Sequence, residues 1–540
     1  MVREREDSLY DLLIQHARVV DGTGNPAFNG DVGIVGQRIV ALGADLPVEA
    51  QRVIDAQGQV VAPGFIDAHT HDDLVMLRKS TLPPKVCQGV TTLVTGNCGF
   101  GMAPMVPAHM EAMKTYSAAI LGKDDLPWEW PTLGSFLKTM STTPLGQNVC
   151  TLLAHGPLRV AVLGFAKRAA TEQEIQAQEA LVAEAMQAGA AGMSLGLAYI
   201  PGAYTPTAEL VRLAQVVGRY GGVLASHMRG EGDTCLSSIN EMLNIAEQAN
   251  VAVHISHLKI TGRKNWGTVQ KALDLIAEAR ARGLDVTIDV YPYSASSTTI
   301  TQLLPSWVQE GGTLAMLERL KDPAIRQQVR QNYAEGIEGW ENAIAANGWD
   351  RFYISSVQQE QFKALEGLNI AQVGEALGLS PADALFHLVL EEQGQVSVIL
   401  FNMDERDVDQ VVQAPFAMLG SDGLPILSGR PHPRLYGTFP RFFQRYVREL
   451  GSIGLEQAVY KATAFPASRF ALKDRGVLAV DKVADLVIFD PATISDRATY
   501  DKPQVYPEGI TAVIVAGQPV VLNGQLQEAL PGLLLRPSAR

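Results

Sequence analysis

His69 and His71 stand two residues apart just beyond the apolar run Gly64 to Ala68, in the segment Asp67-Ala68-His69-Thr70-His71-Asp72-Asp73. In an extended chain, residues i and i+2 share a face. Two imidazoles therefore converge, and a converging pair can hold a divalent metal. Four further side chains also close apolar runs: Cys98 in Gly96-Asn97-Cys98-Gly99, His227 in Ser226-His227-Met228-Arg229, His257 in His257-Leu258-Lys259, and Asp422 in Gly420-Ser421-Asp422-Gly423. A thiolate is a soft ligand that suits zinc. Each residue alone has a plainer explanation. A lone histidine is more often structural, Cys98 could be a small buried hydrophobe, and Asp422 could belong to a Ser-Asp-Gly turn. His254, in mid-strand three residues before His257, takes the structural reading, as do Cys87, Cys150 and Cys235. With ten histidines in the chain, one His-x-His pair is weak on its own. The ordered set of His-x-His, Cys, His, His and Asp, each at a strand end, points to a metal centre with a carboxylate beside it.

Strands must carry these residues to one place. Eight near-continuous apolar runs fit: Gly64–Ala68, Thr91–Thr95, Val149–Ala154, Ala191–Leu197, Gly222–Ala225, Val251–Ile255, Val286–Val290 and Phe416–Gly420. Helical patterns separate several of them. Thr171 and Glu174 form a capping box ahead of Ile175–Ala188, with Gly189 at the C-cap position. Thr205-Pro206 opens a helix whose stripe is Leu210, Leu213 and Val217, and Val269, Ala272, Leu273 and Ile276 make another stripe. Apolar strands alternating with helices indicate a parallel sheet covered on both faces. Eight such units predict an α/β fold of the (β/α)8 TIM-barrel type, with active residues at the C-terminal strand ends. A doubly wound open sheet is the alternative. Both chain ends read as short strands punctuated by glycines. The expected organisation is a small β-sandwich domain composed of residues 1–63 and 470–540, around a barrel spanning 64–469. The long stretch after Tyr293, with helices near Leu314–Leu320 and Ile325–Tyr333, is too long for a loop and predicts a subdomain inserted at about 294–395.

Composition narrows the class. Of 540 residues, 47% are hydrophobic and 19% charged, which excludes wholesale disorder, collagen and coiled coil. The net charge of −13 argues against nucleic-acid or anionic-membrane partners. No apolar run reaches the roughly 18 residues of a membrane span. Four scattered cysteines and a charged start, Met1 to Asp7, without an apolar segment behind it, fit a reducing, cytoplasmic compartment.

The run Pro63-Gly64-Phe65-Ile66-Asp67-Ala68-His69-Thr70-His71-Asp72-Asp73 resembles the amidohydrolase superfamily, and Ala484-Asp485-Leu486-Val487-Ile488-Phe489-Asp490-Pro491 resembles its C-terminal β signature. The motifs at Cys98, His227, His257 and Asp422, with Asp289-Val290-Tyr291-Pro292-Tyr293 and His432-Pro433-Arg434, are similar to the D-aminoacylase (N-acyl-D-amino-acid deacylase) family over residues 10–525 or so. That resemblance implies zinc-dependent hydrolysis of a small N-acyl-D-amino acid to a carboxylate and a free D-amino acid. It implies one tightly held Zn2+ on Cys98, His227 and His257. It also implies a second, weak site on His69 and His71 that shares Cys98. Asp422 would be the general base and acid. Many amidohydrolases bridge two metals with a carboxylated lysine from the fourth strand. Here no lysine falls between Lys167 and Lys259.

Amide hydrolysis needs an activated water, a polarised carbonyl and a protonated leaving amine, all of which a zinc–aspartate pair can supply. The substrate's α-carboxylate needs donors or cations. Lys259, Tyr291, Ser297 and Arg434 are the candidates, with Tyr199 and Arg229 behind them. Ser296-Ser297-Thr298-Thr299-Ile300-Thr301 carries no base, which favours a neutral, hydrophobic D side chain such as D-Leu, D-Met or D-Phe. Leu303-Leu304-Pro305-Ser306-Trp307 is a candidate lid over the pocket. The competing readings are a hydantoinase- or dihydropyrimidinase-like cyclic amidase, and a non-catalytic barrel scaffold.

Overall fold

A computed structural model describes residues 9–537. The eight apolar runs form eight strands: β1 Phe65–Asp67, β2 Val90–Thr95, β3 Asn148–Thr151, β4 Gly192–Gly196, β5 Val223–His227, β6 Ala252–Ile255, β7 Val286–Val290 and β8 Ala417–Leu419. β3 breaks at Leu152 and resumes as Leu153–Ala154. β1, β2 and β3 pair in parallel, and Leu153–Ala154, β4, β5, β6, β7 and β8 form a second parallel run. The two runs join twice. Around Leu152 the main chain stays bonded to both neighbours: Leu152 N–H donates to Thr95 C=O at 3.0 Å, and Ala191 N–H to Thr151 C=O at 2.9 Å. On the far side, Ala68 N–H donates to Leu419 C=O at 3.2 Å. Pairing thus returns from the eighth strand to the first. The ring is a closed barrel, and the open-sheet alternative falls.

Register explains why the polar residues gather. Gly196 pairs with His227, Ser226 with Ile255, Ile255 with Ile288, and Val290 with Leu419. The C-terminal strand ends therefore lie level. His227, and the residues that follow Ile255 and Leu419, reach the same rim. The strands read as apolar runs because nearly every position in them is buried, inward in the barrel or outward against helices. The Thr171–Glu174 capping box forms as expected, with Thr171 N–H donating to Glu174 Oε2 at 2.8 Å, and Gly189 closes that helix in the left-handed region.

Both chain ends contribute to one nine-stranded sheet. Tyr10–Val19 pairs with Phe28–Val35 and Val60–Pro63, and Val60–Pro63 pairs antiparallel with Leu486–Phe489. The strands are hydrogen-bonded into one continuous sheet around a core that includes Leu12, Ile14, Ile34, Leu486, Ile488 and Ile514. Phe65 of β1 ties the barrel to this sheet. It stacks on Phe439 and Phe443, with centroids 5.5 and 5.1 Å away, and lies 5.9 Å from Phe489. The C-terminal tail then returns to the barrel, where Leu535 N–H donates to Val149 C=O at 2.7 Å. After β7 the chain builds an antiparallel sheet of Ser296–Thr299, Ser397–Leu400 and Phe352–Ser356 with a separate core that includes Ile300, Phe352, Leu385 and Val398. That sheet runs past residue 395.

Candidate active site

The six side chains meet at the C-terminal mouth of the barrel. His69 Nε2 lies 3.2 Å from Cys98 Sγ, Cys98 Sγ lies 3.3 Å from His257 Nε2, and His257 Nε2 lies 2.9 Å from His227 Nδ1. Asp422 Oδ1 lies 3.2 Å from His71 Nε2 and 3.5 Å from His69 Nε2. Two ligand sets result, Cys98–His227–His257 and His69–His71–Cys98–Asp422. Within each, the donor atoms all lie within 4.8 Å of one another. Cys98 belongs to both. Its turn is tight, because a Cβ on Gly99 would come within 2.7 Å of the Gly196 nitrogen. Cys98, His257 and Asp422 all take left-handed backbone, with φ of 52°, 35° and 50°. Non-glycine residues seldom hold that conformation, and such strain clusters at functional sites.

A buried support layer fixes the rings. Asp289, from β7, accepts from His69 Nδ1 at 3.1 Å, His254 Nε2 at 2.8 Å and His257 N–H at 2.9 Å. Burial alone would raise the Asp289 carboxyl, but the imidazoles of His69 and His254 drive it far below its ordinary value. His254 also bonds Thr287 Oγ1 at 2.8 Å, so it is structural, as its mid-strand position suggested. Glu231 Oε1 lies 3.0 Å from His257 Nδ1 and 2.6 Å from Lys259 Nζ. Such carboxylate–imidazole contacts set ring orientation in metal sites. Asp289 and Glu231 were not singled out from the sequence as site residues. Asp289 stood inside a quoted motif, whereas nothing local distinguishes Glu231 from the other acids.

Charge follows from these contacts. Burial opposes ionisation of the Cys98 thiol, but the charges of His69 and His257 and hydrogen bonds from His227 and His257 hold it well below the usual cysteine range. Asp422 is likewise opposed by burial, and Arg434, His257, His71 and His69 together keep it ionised. Burial depresses His257, and Cys98, Glu231 and Asp422 overcome that and the Lys259 charge, lifting it to about 9. Around the imidazoles, the buried groups of Cys98, Asp422 and Asp289 and the half-buried carboxylate of Glu231 bring four anionic groups against the side-chain cations Lys259 and Arg434. Without a metal the imidazoles offset that excess by holding protons; as neutral ligands they would leave it to a divalent cation, and a thiolate with imidazoles is a zinc-type donor set.

The remaining predicted residues divide into two groups. Arg434 is fully buried. Its Nη1 lies 2.9 Å from Asp422 Oδ2 without directing a hydrogen bond at it, and its Nη2 donates to Ser297 C=O at 3.2 Å. Its guanidinium sits 4.6 Å from the Tyr291 ring centroid. Arg434 Nε, Tyr291 OH and Ser297 Oγ are buried without a hydrogen-bond partner among the described residues. Ser297, Tyr199, Lys259 and Arg229 line a cavity of about 1080 Å³ that opens over the cluster. Tyr199 OH shares a 2.9 Å hydrogen bond with Thr298 Oγ1. Arg229 has its donors occupied, by Glu241 at 2.8 Å, Ala203 C=O at 3.0 Å and Thr205 C=O at 2.5 Å, so it braces loops and does not face a ligand freely. Lys259, too, is held, by Glu231 and by His257 C=O at 2.9 Å.

A parallel eight-stranded barrel with thiolate, imidazole and carboxylate ligands on its C-terminal rim defines a metal-dependent hydrolase scaffold. The Amidohydrolase family pattern matches residues 52–521, and the chain belongs to that family. It is similar to a D-aminoacylase of Alcaligenes xylosoxydans xylosoxydans, 37% identical over 95% of this chain and 94% of that one. An N-acyl-D-aspartate deacylase of the same organism is 35% identical over 98% and 95%. Among solved structures, an N-acyl-D-glutamate deacylase from Bordetella bronchiseptica, complexed with zinc and a phosphonate inhibitor, superposes with a TM-score of 0.83 at 34% identity, covering 98% of this chain and 99% of that one.

Proposed function

We propose that this protein is a zinc-dependent amide hydrolase that releases a free D-amino acid and a carboxylate from an N-acyl-D-amino acid. The observation that carries the reading is the convergence of two ligand sets on Cys98, next to Asp422 and to buried polar atoms without partners. Cys98, His227 and His257 would hold one zinc tightly, and His69 and His71, with Cys98 shared, a second more weakly. Bound zinc supplies a Lewis acid and lowers the pKa of a coordinated water to about 7.

Asp422 is the acid–base group. Its Oδ1 faces the cluster and its Oδ2 faces Arg434, so the ionised carboxylate is poised to take a proton from water and return it to the leaving nitrogen. Arg434, Tyr291 and Ser297 would receive the α-carboxylate, since their unpartnered polar atoms are costly to bury unless something pairs with them. Lys259 adds positive potential at the edge. Tyr199 shapes the wall beside His227, with the ring centroids 4.7 Å apart. The three cations lining the cavity, Lys167, Arg229 and Lys259, are all paired, with Glu310, Glu241 and Glu231. Among the described residues no spare Lys or Arg lines the cavity to await an acidic side chain, which supports a neutral, hydrophobic D residue. The same reading divides the chain, expected as a β domain of 1–63 and 470–540 around a barrel of 64–469, into a composite β domain of 9–63 and 470–526 among the described residues and a catalytic barrel, 64–469, that carries the inserted segment and receives the tail from 531 onward; residues 1–8 and 538–540 lie outside the described residues.

The cyclic-amidase alternative gains nothing from β4, which reads Gly192-Met193-Ser194-Leu195-Gly196 and offers no lysine to bridge two metals. The test is turnover by the zinc-loaded protein on N-acetyl-D-leucine, N-acetyl-L-leucine and N-acetyl-D-glutamate. Release of D-leucine, with little or none from the L isomer, is expected. Silence on every N-acyl-D-amino acid overturns the function, and faster release of D-glutamate overturns the side-chain reading.

A further inference from the structure

Glu341 lies in the segment after β7, between helices Pro323–Glu335 and Ala343–Asn347, yet its carboxylate is bound to the loop that follows β5. Oε2 accepts from the N–H groups of Glu231 at 3.1 Å and Gly232 at 3.0 Å. Oε1 accepts from Thr234 N–H at 2.9 Å and from Thr234 Oγ1 at 2.6 Å. One side chain thus satisfies three backbone donors across 231–234, just ahead of helix Cys235–Ala249, where donors are otherwise unpaired and negative charge is favoured. Glycines make the room, since a Cβ on Gly230 would come within 2.6 Å of Glu341 Oε1.

The clamped loop carries Glu231. That residue's N–H is held by Glu341, its C=O accepts Thr261 N–H at 2.7 Å, and its carboxylate meets His257 Nδ1 and Lys259 Nζ. Gly339, Trp340, Glu341 and Asn342 also line the cavity above the metal-type cluster. The segment 336–342 has no helix or strand of its own, and Gly336 and Gly339 hold left-handed backbone within it.

We propose that Glu341 is a positioning residue: by clamping the 231–234 backbone it sets Glu231 against His257 and Lys259, so that seating of the 336–342 segment at the cavity and correct orientation of His257 are one event. This rests on the zinc-hydrolase reading given above. It goes beyond it by assigning part of the site's geometry to a residue over a hundred positions away from the loop it holds. Two variants test it, Glu341→Ala, and Glu341→Gln, which keeps the size and one acceptor oxygen.

Hydrogen exchange of the full-length protein should show the amides of Glu231, Gly232 and Thr234 losing protection at least tenfold in Glu341→Ala, and by less in Glu341→Gln. Zinc release to a chelator should quicken about tenfold, the lower end of the 10–100-fold loss of affinity that follows removal of a group bonded directly to a ligand. The turnover defect should fall on kcat more than on KM. If exchange quickens while zinc release and kcat stay at wild-type values, Glu341 is only a structural brace and the inference fails. Unchanged exchange in both variants also overturns it. A wild-type protein silent on all N-acyl-D-amino acids would instead remove the proposed function, and the exchange and zinc-release readouts would still decide the role of Glu341.

Discussion

Replacing Asp422 by Asn isolates its proton chemistry from its shape. The side chain is buried, with Oδ1 3.2 Å from His71 Nε2 and Oδ2 2.9 Å from Arg434 Nη1. A carboxamide fits the same space without a cavity. It can turn its oxygen to Arg434, so that the guanidinium keeps an oxygen beside it, and its NH2 then faces His71 Nε2. What disappears is one negative charge and any capacity to accept a proton. General acid–base catalysis contributes roughly 10²–10⁴-fold, equivalent to about 3–5 kcal/mol at 1.36 kcal/mol per decade. Because Asp422 acts on both water and leaving amine, Asp422→Asn is expected to lose about 10³-fold in kcat or more. Cys98, His227 and His257 remain whole, so the tightly held zinc should stay. The assay pairs amine release from N-acetyl-D-leucine with metal content by mass spectrometry on the same sample. A kcat within threefold of wild type would refute the acid–base assignment. Loss of all zinc together with activity would show that Asp422 is needed to hold the metal, and that its proton role had been misassigned.

Two further outcomes concern stability. His155 is fully buried with neither ring nitrogen hydrogen-bonded among the described residues, and burial, with the charges of Arg159 and Arg229, depresses it to about 3. Between that value and the unfolded pKa of about 6.5 the unfolded chain binds a proton that the folded one refuses, so stability falls as pH drops through this window, by up to about 1.4 kcal/mol per unit from this group; denaturant titrations of His155→Gln should lose that share of the slope, and an unchanged slope contradicts the assignment. Phe65→Ala should cost about 3–5 kcal/mol by emptying the ring stack that joins the barrel to the small sheet, and an unfolding free energy from chemical denaturation within about 1 kcal/mol of wild type would show that Phe439, Phe443 and Phe489 do not depend on it.

The barrel strands were legible because burial on both faces leaves apolar runs that differ from the period of the flanking helices, and because the strand ends carry rare residue types. The capping box at Thr171 and Glu174 was legible for a similarly local reason. Glu231, Asp289 and Glu341 were not marked as site residues because each acts through contacts across the fold. Asp289 works by receiving His69, His254 and His257 together, a relation no window of sequence contains. Arg229 shows the converse. Its place after His227 suggested a substrate contact, but pairing with Glu241 and two loop carbonyls is visible only in three dimensions. That both chain ends share one small β domain was legible in their glycine-punctuated strands, whereas the strand order was not, because alternation in short strands fixes which face is buried and not which strands pair.

The central claim is tested most directly by X-ray absorption at the zinc edge on protein carrying one equivalent of zinc, measured for wild type and for Cys98→Ala. The account predicts a first shell with one sulfur at about 2.3 Å and nitrogens at about 2.0 Å in the wild type, and loss of the sulfur with weakened retention of zinc in the variant. A wild-type shell of nitrogen and oxygen alone, or a variant that holds zinc as firmly as its parent, would contradict it.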